Sequence, residues 1–198
     1  FRYADAMTMS SKKDAIVNMG GFIGFKEEEL WKRAQTYNIM FEGFITYGGI
    51  TRRDLEALAV GFTEVMDENY LAYRVGQVKY LGDKLLEAGV PIMVPTGGHA
   101  VYLDAKRFAP HIEPKHFPAQ SLTNEIYRIS GVRSVEIGSL MFGEEENGEF
   151  KPANMELVRM AIPRRVYTKS HIDYVAEAVQ EVFANRDKLK PMKITWQA

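Results

Sequence analysis

Thr8-Met9-Ser10-Ser11-Lys12-Lys13-Asp14-Ala15-Ile16-Val17-Asn18-Met19-Gly20-Gly21 sets a polar knot between two apolar runs. The runs, residues 4–9 and 15–25, read as two strands joined by residues 10–14. Adjacent ammonium groups disfavour each other's charged form, so one lysine of the pair is available as the kind of amine nucleophile that forms Schiff bases. The serine hydroxyls and turn amides beside it are donors suited to a phosphate ester. A Lys-Lys pair equally suits a solvated charge run, and spacing alone leaves both readings open.

Outward from the knot, residues 27–40 carry Leu30, Trp31, Ala34 and Tyr37 at helical spacing, with acidic residues in the first turn where the macrodipole favours them. A loop with Gly43 and Gly48-Gly49 follows. Thr51, three residues before Asp54, predicts an N-cap for a long helical stretch along Leu55, Leu58, Ala59 and Phe62. The polar residues 66–69 offer a break; helical spacing then runs through Tyr73, Gln77, Leu81 and Leu85 to a stop at Gly89. Residues 90–94 and 99–103 read as short strands around Pro95-Thr96-Gly97-Gly98, and 118–130 as a helix ending at Gly131. Residues 135–142 and 155–162 read as strands, separated by a polar hairpin loop with Asn147-Gly148 as its turn signal. Thr168 or Ser170 caps a last helix carrying Ile172, Val175, Ala176, Val179 and Phe183, and 192–196 reads as a short terminal strand. The order predicts the end of one α/β domain, residues 1–48, followed by connecting helices and a smaller α+β domain, residues 49–198.

The 198 residues are 46% apolar, enough for a real core, and the formal net charge of −1 leaves no field to draw the chain to nucleic acid or an anionic membrane. There is no cysteine, which excludes disulfide scaffolds, thiolate metal sites and cysteine nucleophiles. His, Lys, Tyr and carboxylates remain as reactive groups. His111, His116 and His171 lack metal-ligand spacing, so no zinc site is expected. His99 suits either a substrate pocket or a satisfied position at a strand start. Tyr70, Tyr73 and Tyr80 read as core or subunit interface. Neither Gly20-Gly21 nor Gly97-Gly98 has the spacing of a nucleotide-binding loop. No apolar run reaches the ~20 residues that span a bilayer, and no signal-peptide core stands near Phe1, so a soluble, cytoplasmic protein is expected. Because Phe1 opens directly into what reads as a strand, a fragment or processed chain is expected too.

The knot and its continuation resemble the cofactor-lysine segment of the β-eliminating lyases, the tryptophanase and tyrosine phenol-lyase family. Thr46-Tyr47-Gly48-Gly49, Leu58-Ala59-Val60-Gly61, Leu71-Ala72-Tyr73-Arg74, Gly97-Gly98-His99-Ala100, Phe117-Pro118-Ala119-Gln120 and Ile162-Pro163-Arg164-Arg165 resemble further segments of that family in the same order, across almost the whole chain. The resemblance implies a fold-type I pyridoxal-phosphate (PLP) enzyme, with residues 1–48 ending the large PLP-binding domain. It makes Lys13 the cofactor-binding lysine, places Ser10 near the cofactor phosphate and makes Lys12 a modulating neighbour. It implies a monovalent cation, usually potassium, near this loop, with the backbone carbonyl of Asn18 as a ligand. Arg164 resembles the arginine that holds the amino acid's carboxylate, a role suited to a planar guanidinium that pairs bidentately and keeps its charge. Arg165 beside it is the competing assignment; the family pattern favours the arginine directly after the proline.

Val135-Glu136-Ile137-Gly138-Ser139 bears on the substrate. Tyrosine phenol-lyases carry an arginine after this glutamate, whereas tryptophanases resemble this chain in carrying an aliphatic residue. An apolar wall accepts an indole face and offers a phenol oxygen no partner, so Ile137 favours tryptophan, cleaved to indole, pyruvate and ammonia, over tyrosine. Ile137 also suits ordinary strand core. In the family, the residues that hold the cofactor ring and most of its phosphate precede the segment matched here, and a final segment follows it. A companion N-terminal portion and a homo-oligomer, a tetramer, are therefore expected. The reading from another class is a non-catalytic assembly fragment of such an enzyme.

Overall fold

β1 (Ala6–Ser10) pairs antiparallel with β2 (Gly21–Phe25), Ala6 opposite Phe25 and Ser10 opposite Gly21, in a computed structural model that describes residues 2–196. Between the strands lies one helical turn, α1 (Ser11–Asp14), and then a run of bends over residues 15–19. The second apolar run is therefore strand only at its end. Ala15 and Val17 are buried and anchor the returning chain instead of pairing in the ladder. α2 (Glu28–Phe41) opens on Glu28 and Glu29, at the end where the macrodipole stabilises carboxylates. It buries no residue and leaves Trp31, Tyr37, Ile39, Met40 and Phe41 exposed, apolar surface of a kind that marks a protein contact face. The Thr51 hydroxyl accepts the Asp54 amide at 3.4 Å and caps α3 (Arg52–Glu64). The expected break comes at residues 65–67. There the Asp67 carboxylate takes the Tyr70 amide at 2.8 Å and starts α4 (Glu68–Glu87).

The chain divides into two compact units between Tyr73 and Arg74, inside α4. The expected domain boundary after residue 48 lies within the first of them.

In the second unit, β3 (Ala100–Asp104) leads into the short helix α5 (Ala105–Phe108), α6 (Pro118–Ser130) and β4 (Val135–Ile137). A single helical turn α7 (Ser139–Phe142) and a hairpin of β5 (Glu144–Glu146) and β6 (Glu149–Lys151) follow, turning at Asn147-Gly148 with both φ positive as a tight hairpin turn requires. β7 (Leu157–Ala161) then runs down the middle of an antiparallel sheet ordered β3-β7-β4, and α8 (Lys169–Ala184) closes the unit. Val101 and Leu103 of β3 and Val158 and Met160 of β7 turn inward at every second position. Leu81 and Leu85 of α4, Leu122 and Ile126 of α6, and Ile172, Ala176 and Val179 of α8 cover them. Phe108 is fully buried in this core and meets Phe183 edge-on at 4.9 Å between centroids. Phe108→Ala is expected to cost about 3–5 kcal/mol, seen as a lower urea midpoint with an unchanged slope.

A polar tie joins α4 to α8. Asp173 accepts the Tyr80 hydroxyl at 2.6 Å and sits 2.8 Å from Lys84 and 2.9 Å from Lys169, so Lys84 first, with Tyr80 and Lys169, holds its carboxyl well below the usual range.

Three further sequence expectations change. Residues 135–142 are not one strand, because Gly138 ends β4 and buried carboxylates capture the amides of Ser139 and Leu140 into α7. Of residues 90–94, only Ile92 makes a β-bridge, to Leu103, since Val90 is still closing α4 through a bond from its amide to Leu85. Residues 192–196 form no strand; the Met192 amide donates to the His116 carbonyl at 2.9 Å without extending into a ladder.

Candidate active site

Ser10 closes β1 opposite Gly21, and the Ser11 amide donates to the Gly20 carbonyl at 2.9 Å. The Ala15 amide returns to the Ser11 carbonyl at 2.9 Å, so the α1 turn is clamped at both ends. A Cβ on Gly21 would lie 2.3 Å from the Met9 carbonyl oxygen; a glycine is what lets the two strands close beneath the turn. Ser11 points inward and is buried, Lys12 and Asp14 are exposed, and Lys13 is half-buried. The geometry thus covers one of the two adjacent lysines and leaves the other in solvent. Ser10, half-buried, stands at the N-terminal edge of the turn, and Asn18 lies exposed in the bends that lead to β2. Ser10, Lys12, Lys13 and Asn18 are accordingly brought together in one loop of the first unit.

That unit also holds a cavity of about 290 Å³ lined by Phe22, Trp31, Asn38, Tyr47 and Leu58 among others. Sequence reasoning found Tyr47 only as part of a family segment and did not anticipate an aromatic-walled space there.

Arg164 and Ile137 belong to the second unit. Arg164 follows β7 in a turn pinned on both sides: the Ile162 amide donates to the His99 carbonyl at 2.8 Å, and the Gln77 side-chain amide donates to the Tyr167 carbonyl at 2.7 Å. Thr168 and His171 then form a capping box that opens α8. Arg164 is half-buried, whereas Arg165 is exposed with φ at 54°. A cavity of about 310 Å³ touches Ile162 and Tyr167 on either side of this turn, with Met160, Ile172 and His171 in its wall.

Ile137 pairs with Leu157 and Val135 with Arg159, while Glu136 pairs with the buried Val158. Strand alternation puts Ile137 on the face of the sheet opposite the core, where it is half-buried with Tyr102, Leu157 and Arg159. It is not core. Ile137 and Arg164 stand toward opposite ends of β7.

The sequence reading missed the polar cluster behind Ile137. Glu136, Ser139 and Glu156 are buried, and burial pushes the Glu136 carboxyl up, with the Leu140 amide offsetting part of the rise and the Glu156 charge adding to it. The signal was a glutamate at an inward position of an alternating strand.

Residues 1–178 match the model of the beta-eliminating lyase family. The chain belongs to that family. Among its relatives, a tryptophanase from Salinibacter ruber is 52% identical over 98% of this chain, and a tyrosine phenol-lyase from Clostridium tetani is 50% identical over all of this chain. The chain spans 41% and 43% of the length of those two relatives. Its fold resembles that of part of a solved structure, a serine palmitoyltransferase K265A variant from S. paucimobilis with a bound PLP-myriocin aldimine, at a TM-score of 0.54 with 12% identity, over 92% of this chain and 40% of that one. The lyase segments named from the sequence thus fall within a family match covering most of the chain. Among the described residues, no helix is long and apolar enough to cross a membrane, and no three His, Asp or Glu side chains gather as a metal cluster.

Proposed function

We propose that this beta-eliminating lyase chain contributes the lysine and carboxylate-binding part of a PLP-dependent enzyme that cleaves an aromatic amino acid, tryptophan ahead of tyrosine. The observation that carries the reading is Lys13 itself: a half-buried lysine on a turn clamped between paired strands, inside the stretch matched to the family. The residues present fit the cofactor at one edge, since an amine for its aldehyde and the Ser10 hydroxyl for its phosphate lie on the same turn. Lys12, in solvent beside them, adds positive charge. When bound, PLP supplies an electron sink for the charge left on Cα.

The protein's own groups do the rest. Arg164 grips the substrate carboxylate bidentately and fixes its orientation. Lys13 would hold the cofactor through its amine and, once the substrate is bound, its Nζ would take the proton from Cα. Ile137 gives the departing ring an apolar wall. With water consumed, tryptophan yields indole, pyruvate and ammonia. Relatives of both names match at similar identity, so the preference for tryptophan rests on Ile137.

The proposal extends to residues 1–48 as the end of the large PLP-binding domain, to a potassium ion taken partly by the Asn18 carbonyl, and to a cytoplasmic protein. It also includes a companion N-terminal portion and assembly as a homotetramer, for which the exposed apolar residues of α2 are a suitable contact face. The test is to add PLP to the assembled protein, reduce with borohydride and map the labelled peptide. Label is expected on Lys13, and its absence rejects the enzyme reading. Tryptophan is then expected to release indole about tenfold or more faster than tyrosine releases phenol, the scale set by burying a phenol oxygen without a partner. Faster phenol release overturns the inference from Ile137.

A further inference from the structure

Behind Ile137 two glutamates are folded inward, and among the described residues no cation pairs with either. Glu136 is 6% exposed and Glu156 is 1% exposed. The Ser139 amide donates to Glu156 Oε1 at 2.9 Å and the Ser139 hydroxyl donates to the same oxygen. The Ala153 amide donates to the Ser139 hydroxyl at 3.0 Å, and the Leu140 amide to Glu136 Oε1 at 3.1 Å. Glu156 Oε2 is buried with no donor. A Cβ on Gly138 would lie 2.5 Å from Glu156 Oε2 and 2.9 Å from Glu136 Oε1, so both carboxyl groups converge on the space that glycine leaves open.

The charges on neighbouring elements do not relieve this pair. On β7, Arg159 pairs with Val135, on the sheet face opposite Glu136. On α6, Glu125 and Arg128 bond each other at 2.6 and 2.8 Å. α7 carries no charged side chain and offers its amides and the Ser139 hydroxyl, while the Glu156 charge acts on Glu136. Two ionised carboxylates out of water and this close repel strongly, and an acceptor left without a donor is costly.

We propose that Glu136 and Glu156 share one proton, held on Glu136 and donated to Glu156 Oε2, and that this pair fixes the turn between β4 and α7 that presents Ile137. The two glutamates are positioning residues. The meaning given to Ile137 rests on the lyase reading, but the proton sharing does not.

Since the folded state holds this proton more tightly than the unfolded chain, its stabilisation is complete below the ordinary glutamate value, ~4.3. It is lost as pH rises through the elevated value. Glu136→Gln keeps the Leu140 amide's acceptor and supplies a permanent donor to Glu156. The experiment compares the assembled wild-type protein with E136Q, without substrate. In infrared spectra at neutral pH, wild type is expected to show a protonated-carboxyl stretch that E136Q and E156Q lack. At pH ~5 the Leu140 amide should exchange equally in wild type and E136Q. At pH ~8 it should exchange at least about tenfold faster in wild type, since each unit of differential proton affinity corresponds to a factor of about ten. No protonated-carboxyl stretch in wild type overturns the proposal even if E136Q fails to fold, and so does exchange that runs parallel in the two proteins. Failure of the lyase reading would appear instead as missing label on Lys13, which these measurements do not involve.

Discussion

Lys13→Ala is expected to abolish borohydride-stable labelling and to lower product release by roughly 10³-fold or more, because under the proposed function one side chain would serve as both attachment point and base. The fold should survive. The α1 turn is held by main-chain bonds from Ser11 to Gly20 and from Ala15 to Ser11, neither of which uses the lysine side chain. Far-UV circular dichroism and the thermal midpoint should therefore stay near wild type. Lys12→Ala is the control: its side chain is exposed on the same turn, and labelling should persist with activity changed by only a few fold. Lys13→Arg separates charge from chemistry, since a guanidinium keeps the cation but does not condense with an aldehyde. Label on residue 12, or activity in Lys13→Ala, would sink the assignment.

Arg164→Lys should raise KM for the amino acid by about 10²-fold, as expected when one partner of a bidentate charge pair is replaced by a point charge. The decisive comparison is with the amine that lacks the carboxylate. Its binding should be nearly the same in wild type and variant, because it never used the guanidinium. Arg165→Lys should have little effect on KM. Arg165 is exposed at a left-handed backbone position, and its replacement leaves the pinned segment from Ile162 to Tyr167 intact. Equal effects at the two arginines would point to a general charge contribution rather than a grip on the substrate.

What could be read in advance followed the physics that acts locally. Helix α6 was legible to its ends because Pro118 starts it and Gly131, at φ 71°, stops it. Thr51 and Asp54 announced the start of α3, and Asn147-Gly148 announced the hairpin, since each turn needs those side chains whatever surrounds it. The apolar residues 15–19 misled because burial, not pairing, explains their character: Ala15 and Val17 fill space under a turn. Residues 135–142 misled for the opposite reason. Their apolar run looks like a strand, but Glu156, distant in sequence, reaches in to take the Ser139 amide. The choice of Lys13 over Lys12 came only from the family motif; the pattern of a Lys-Lys pair does not say which lysine the fold will cover. Tyr102 and Arg159, which share the sheet face of Ile137, were invisible because their neighbourhood exists only once β3, β7 and β4 are in register.

The central position of β7 has one more result. Its side chains alternate strictly, Val158 and Met160 inward and Leu157 and Arg159 toward the other face, with partners on both edges. A single-residue deletion between the β5–β6 hairpin and this strand has no small solution, because a shift by one position would bury an arginine and expose two core side chains. Length variation among homologues should therefore gather at the hairpin tip, where added residues leave the parity of β7 untouched, and the segment from Glu156 to Ala161 should vary in composition but not in length.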